Sequence, residues 1–312
     1  MAGKEAMMST PGPMATDRES LEIIMKAALA SEPWLRDPSV TFKPWTPVTF
    51  TRPLKVAVQW WDGVVTPHPP MRRALKEVAE ACRKAGMKVV DWDCEKLGLD
   101  HKKGWEIISS LYWPDGGEQV LNSLRESGEP VLPLTKFIIE EQPSVENMTQ
   151  QELWDVSTAR PVMSTYILQR LTDPSQRVAE REAYRTQYAQ AWSDTANSDA
   201  DGQEQEVDVI LCPPSFGAAP PHGQSKYWGY TSNWNLLDYP GVVFPVTTVD
   251  PQKDPKDVGY EPKNAEDKFC HEMYDPETYA DAPVGLQLVG RRQYDEKVLA
   301  ALVEVEKAMG RK

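Results

Sequence analysis

Hydrolysis through a serine needs a nucleophile, a base that takes its proton, and donors aimed at the developing oxyanion. In these 312 residues two serines stand side by side once, at Ser109-Ser110. They sit in Trp105-Glu-Ile-Ile-Ser-Ser-Leu-Tyr112, without the flanking glycines that let backbone amides approach a substrate, and read as ordinary helix positions. A histidine-dependent route has four candidates, His68, His101, His222 and His271. None belongs to a Gly-x-Ser-x-Gly or His-Glu-x-x-His motif, so neither a nucleophile elbow nor a zinc site is written here. His68 lies between prolines in Thr66-Pro-His-Pro-Pro70, a turn that either positions a side chain at a helix start or serves packing alone. Cys270-His271 lacks partners at zinc-ligand spacing and reads as a loop. Cys212 follows an apolar run and precedes Pro213-Pro214, the setting of a buried small hydrophobe. Arg291-Arg292 follows a strand-like run, where two cations bind a carboxylate elsewhere in the protein as a structural ion pair. No catalytic residue, metal ligand or cofactor is assigned from these residues.

The elements that position these side chains are legible from periodicity. Residues 54–60 alternate and are rich in β-formers, predicting a strand. Pro69 and Pro70 open a helix over 70–85, with Met71, Leu75, Val78, Ala79 and Cys82 on one face and Gly86 as its stop. Met87 to Trp92 forms a second strand, and strand, helix, strand in this order predicts a parallel pair. Val207–Cys212, Val242–Val249 and Val284–Val289 read as buried strands, giving a mixed or parallel sheet. The closing stretch Asp295–Met309 sets Val298, Leu302, Val305 and Met309 at helical spacing, so it packs across that sheet. Residues 105–192 read as a helical insertion broken at Pro114, Pro130, Pro143 and Pro174, and about 194–206 as an acidic, solvated loop.

Charge narrows the partners. A net charge of −13 opposes nucleic acid and anionic membrane surfaces, leaving a small molecule or another protein. Four scattered cysteines without a Cys-x-x-Cys pair, and no signal-like N-terminus, lead us to expect a reduced, cytoplasmic protein. No apolar run reaches the roughly 18 residues of a membrane span.

One resemblance covers nearly the whole chain. Trp228-Gly-Tyr-Thr-Ser-Asn-Trp-Asn-Leu-Leu-Asp-Tyr-Pro-Gly-Val-Val-Phe-Pro-Val-Thr248 and Ala282-Pro-Val-Gly-Leu-Gln-Leu-Val-Gly-Arg-Arg292 resemble the C-terminal half of amidase signature enzymes, in their fungal acetamidase-like branch. Trp61-Asp-Gly-Val-Val-Thr-Pro-His-Pro-Pro70, Gly12-Pro-Met-Ala15 and the stretch from Asp17 through Leu21 and Met25 to Pro38 agree in order. The resemblance implies an α/β half-fold with a mixed central sheet flanked by helices, and residues 1–312 as one partial domain. It also implies amide cleavage by a serine nucleophile, a second serine in a cis peptide and a lysine. Those motifs, including the Gly-Gly-Ser-Ser-Gly-Gly-like loop, are not found in this sequence, so Met1 is expected to fall just past the chemistry.

Family members that hydrolyse lipid-like amides line an acyl pocket at positions that fall here on Ser225, Trp228 and Ser232. Their spacing of three and four predicts one helical face, which serves either as a pocket wall or as core. Two serines among the three point to a small or polar acyl group. Lys226, beside this wall, is not taken as the family's catalytic lysine. Three readings stay open: an amidase part that is inactive alone and acts with a complementary N-terminal half; a truncated ligand-binding or scaffold module for an amide or acyl ligand; and repurposed pocket chemistry on the retained scaffold. Removing half of a shared sheet exposes edges and apolar faces, so a homo-oligomer or a partner chain is expected.

Overall fold

Among the described residues, short runs of β-branched and apolar residues build five strands, and between them the 3.6-residue pattern builds helices that cover both sheet faces. The computed structural model describes residues 7, 11–147, 174–198 and 205–311. Residues 148–173 of the expected helical insertion and 199–204 of the expected acidic loop lie outside the described residues.

Helix α1 (Arg18–Ala30) is capped by Asp17, whose carboxylate accepts the Ser20 N–H at 2.7 Å. Strand β1 (Lys55–Val58), helix α2 (Pro69–Lys84) and strand β2 (Lys88–Asp91) form the predicted unit, and the two strands pair in parallel. Helices α3 (His101–Tyr112), α4 (Glu118–Ser127), α5 (Pro133–Ile139) and α6 (Pro174–Asp194) follow. Then come β3 (Val209–Cys212), α7 (Gly229–Leu237), β4 (Gly241–Thr248), α8 (Ala265–Met273), β5 (Pro283–Val289) and α9 (Asp295–Ala308). The strand order is β2-β1-β3-β5-β4, parallel through β2, β1 and β3 and antiparallel at both edges of β5. The sheet is therefore mixed.

Alternation along each strand divides the core. Val56, Val58, Val209, Leu211, Leu286 and Leu288 face α2 and α9, whereas Ala57, Ile210, Cys212 and Val289 face α3, α6 and α7. Helix α2 buries Met71, Ala74, Leu75, Val78, Ala79 and Cys82 on one stripe, and each larger side chain contributes roughly 1.5–3 kcal/mol by leaving water. The helix stops at Gly86, whose φ of +85° suits a residue without a Cβ. Arg73 on the same helix places a two-pronged guanidinium on Asp254, with both contacts at 2.7 Å, and locks α2 to the segment after β4.

Buried polar groups close the far side. Lys55, buried at the start of β1, donates from Nζ to the carbonyls of Thr195 at 2.7 Å and Gln205 at 2.9 Å. Asp208 accepts Arg52 in a fork at 2.8 and 3.0 Å, the Lys55 N–H and Lys297. Burial pushes its carboxyl up, but these partners outweigh burial and hold it below the usual range.

Candidate functional site

Six separate segments converge on one cavity of about 610 Å³. Asp100 caps α3 by accepting the Lys103 N–H at 3.0 Å, which fixes the start of the helix that presents His101 and Trp105. Helix α5 contributes Phe137, the stretch before α7 contributes Lys226, Tyr227 and Trp228, and α8 contributes Glu266. Trp105 and Trp228 meet edge to face, with centroids 6.0 Å apart and planes at 83°. Both indole N–H groups are satisfied, by the Ser225 carbonyl at 3.0 Å and by Gln142 Oε1 at 3.2 Å. The aromatic wall is thus held in place from behind.

Of the three predicted wall residues, Trp228 lines the cavity. The expectation that all three share one helical face is corrected by the structure. Helix α7 begins at Gly229, so Trp228 is its N-cap and Ser225 lies ahead of it, leaving Ser232 as the one of the three inside the helix. Ser225 acts through its carbonyl on the Trp228 indole, and Ser232 is buried at 3% exposure with its hydroxyl unpartnered among the described residues. Gly229 is required at the bend, because a Cβ there would lie 2.2 Å from the Tyr227 hydroxyl.

Behind the wall, Tyr227 donates its hydroxyl to Asp62 Oδ2. Asp62 Oδ1 accepts the Val64 and Val65 N–H groups, both at 2.9 Å. Burial dominates over these hydrogen bonds and pushes the Asp62 carboxyl up to about 6. A second network underlies α3: Tyr184 donates to Asn233 Oδ1 at 2.7 Å, Asn233 donates to the Tyr188 hydroxyl at 3.2 Å, and that hydroxyl meets His101 Nε2 at 2.5 Å. Burial takes His101 down to about 4, so the ring is neutral, and its Nε2 shares one proton-mediated contact with the Tyr188 hydroxyl.

The other residues singled out from the sequence fall where packing puts them. Ser109 and Ser110 are helical, donating to the carbonyls of Trp105 at 2.6 Å and Ile107 at 2.7 Å. His68 begins α2 and donates from Nε2 to the Cys270 carbonyl at 2.8 Å, and burial takes it down to about 4. Cys212 is fully buried. Arg291 pairs with Glu206 at 2.9 Å and Arg292 with Asp238 at 2.5 Å, both structural ion pairs. Cys270-His271 is corrected: it lies in α8, not in a loop, because Asn264 caps that helix by accepting the Asp267 N–H at 2.7 Å. In the sequence Asp62 stands out only within the Trp61-to-Pro70 block, and Tyr227 and Phe137 carry no local sign of a site. The available signal was the Asp62-Gly63-Val64-Val65 turn, in which an aspartate accepts the N–H groups two and three residues on.

Among the described residues, no helix is long and apolar enough to cross a membrane. The amidase family pattern matches residues 1–299. A putative amidase of Schizosaccharomyces pombe is 38% identical over 306 residues, covering 98% of this chain and 51% of the relative. An acetamidase of Emericella nidulans is 32% identical over 318 residues, covering 99% and 52%. The solved structure of a fatty acid amide hydrolase matches with a TM-score of 0.82 at 30% identity, over 99% of this chain and 49% of that one. The chain thus spans about half the length of the curated relatives it matches. With the family pattern running across almost every residue and the mixed sheet shared at this similarity, the chain belongs to the amidase family.

Proposed function

We propose that residues 1–312 form a single partial unit of an amide hydrolase, carrying the acyl-side wall and the back of the sheet. The nucleophilic serine, its serine partner and the lysine then come from sequence outside these residues. In the assembled enzyme the serine oxygen attacks the carboxamide carbon and the C–N bond breaks. The nitrogen leaves as ammonia or an amine, and water releases the carboxylic acid from the acyl-enzyme. Trp228 faces the acyl group, Ser225 holds the indole through its carbonyl, and Ser232 backs the wall from one turn into α7.

The observation that carries this reading is the fixed Trp105–Trp228 wall on a cavity of about 610 Å³, on a chain whose family pattern is that of amidases. Exposed apolar side chains support a complementary partner. Helix α1 buries none of its residues, and Ile23, Leu35 and Phe42 are exposed at 65, 73 and 70%.

The test compares ammonia release from acetamide and longer carboxamides by residues 1–312 alone and by the native gene product, whose mass is read in parallel. The expected result is no turnover by the isolated chain and turnover by a larger native product. Turnover by the isolated chain that vanishes when one of its own serines is replaced would overturn the assignment.

A further inference from the structure

Three lysines line the cavity, and their surroundings differ. Lys103 pairs with Glu180 at 3.1 Å and approaches Glu106 at 4.0 Å, and Lys102 approaches Glu266 at 3.9 Å. Among the described residues, Lys226 makes no ion pair. Its ammonium lies instead over two ring faces, 5.0 Å from the Phe137 centroid and 6.0 Å from Phe269. Aromatic faces hold a cation in place without neutralising it. Lys226 is half-buried, so water screens it less than it screens a surface lysine. The fourth carboxylate on the lining, Glu141, is exposed on the segment after α5.

The chain carries thirteen more negative than positive charges, yet no carboxylate among the described residues pairs with this lysine. The ammonium stands one residue from Tyr227, which Asp62 anchors, and two from Trp228, whose indole Ser225 fixes. A ligand lying against Trp105 and Trp228 therefore meets an aromatic wall and a fixed, unneutralised cation in the same space.

We propose that Lys226 is the anion-recognition residue of this cavity, and that its ligands carry a carboxylate on an aromatic or apolar body. This rests on the acyl-wall reading above, and on that reading the substrate is an amide whose acyl group ends in a carboxylate. The carboxylate accepts the Lys226 ammonium hydrogens while the ligand body covers the indole faces, and no bond is made or broken at Lys226.

Calorimetry on residues 1–312 tests this with three probes: benzamide, benzoate, and terephthalamate, which bears a carboxamide and a carboxylate across one ring. A charge-assisted contact favours terephthalamate over benzamide by about tenfold to a hundredfold, with the preference shrinking as salt is raised. Lys226→Met keeps the unbranched stem and is expected to reduce terephthalamate to the affinity of benzamide while leaving benzamide unchanged; Lys226→Arg is expected to retain the preference. Benzoate separates the two sources of the carboxylate. Affinity equal to that of terephthalamate means any acid of this shape is held, and weaker binding means the amide end is sensed as well; both support the anion site. Equal binding of terephthalamate and benzamide by the unaltered chain overturns the anion site and leaves the wall intact. A preference that survives Lys226→Met overturns the assignment to Lys226. Failure of all three probes to bind at millimolar concentration overturns both the site and the wall beneath it.

Discussion

Replacing Asp62 by asparagine isolates the charge that the wall's anchor buries. Asp62 is fully buried, and burial lifts its carboxyl from 3.8 to about 6. The folded state therefore holds this proton more tightly than the unfolded state, and stability falls as pH rises through the interval between those values. The interval corresponds to roughly 3 kcal/mol once pH exceeds about 6. Two buried histidines act in the opposite sense. His68 and His101 are held near 4 against 6.5, so the stability each contributes is present above the unfolded value and is lost as pH falls toward 4, again by roughly 3 kcal/mol apiece. Together they outweigh Asp62, and the raw stability of the unaltered chain declines toward acid. The Asp62 contribution becomes visible in the difference between Asp62→Asn and the unaltered chain, because the histidines cancel there. Asparagine retains an acceptor for the Val64 and Val65 N–H groups and carries no charge. Urea denaturation across this range is expected to show the variant gaining about 3 kcal/mol on the parent as pH rises from about 4 to above 6. Any constant offset reports the altered Tyr227 contact. A difference that stays flat with pH, or one that grows toward acid, refutes the buried-carboxylate argument.

Other perturbations follow from single contacts. Gly217→Ala puts a Cβ 2.3 Å from His68 Nδ1, and that ring is packed between Phe216, Tyr274 and Tyr279, so a loss of about 1–3 kcal/mol is expected in urea melts. Asp254→Ala strips the carboxylate from Arg73 and should cost about 3–5 kcal/mol by the same measurement, far more than loss of the exposed Lys307–Glu304 pair. Ser232→Ala removes a buried hydroxyl without a partner and is expected to raise stability by about 1 kcal/mol; a loss of similar size would mean the hydroxyl is bonded in solution. His68→Gln keeps a donor for the Cys270 carbonyl and should remove about half of the acid limb of the stability profile between 6.5 and about 4, leaving the share that His101 contributes.

How much of this was legible in the sequence depends on the range over which each decision is made. The strands and α2 were readable because β-branched runs and a five-residue apolar stripe decide them locally, and the structure places those residues in the core. The order β2-β1-β3-β5-β4 was not, since it is set by which apolar faces meet after chain segments of very different length, and no local pattern records that β5 enters antiparallel between β3 and β4. The same distinction explains the site. Trp228 stood out because its motif is contiguous, whereas Trp105 and Phe137 belong to helices more than ninety residues upstream and reach it only through tertiary packing. The misplaced helical face shows a finer limit. A spacing of three and four fixes a face only if the helix already runs through all three positions, and the glycine after Trp228 marks where this helix begins. Ser225 consequently contributes a carbonyl where periodicity predicted a side chain, and that carbonyl gives the Trp228 indole its fixed orientation. Lys226 gains its setting in the same way. Its neighbours in sequence say nothing of Phe137 and Phe269, yet those two rings are what hold its charge available in the cavity.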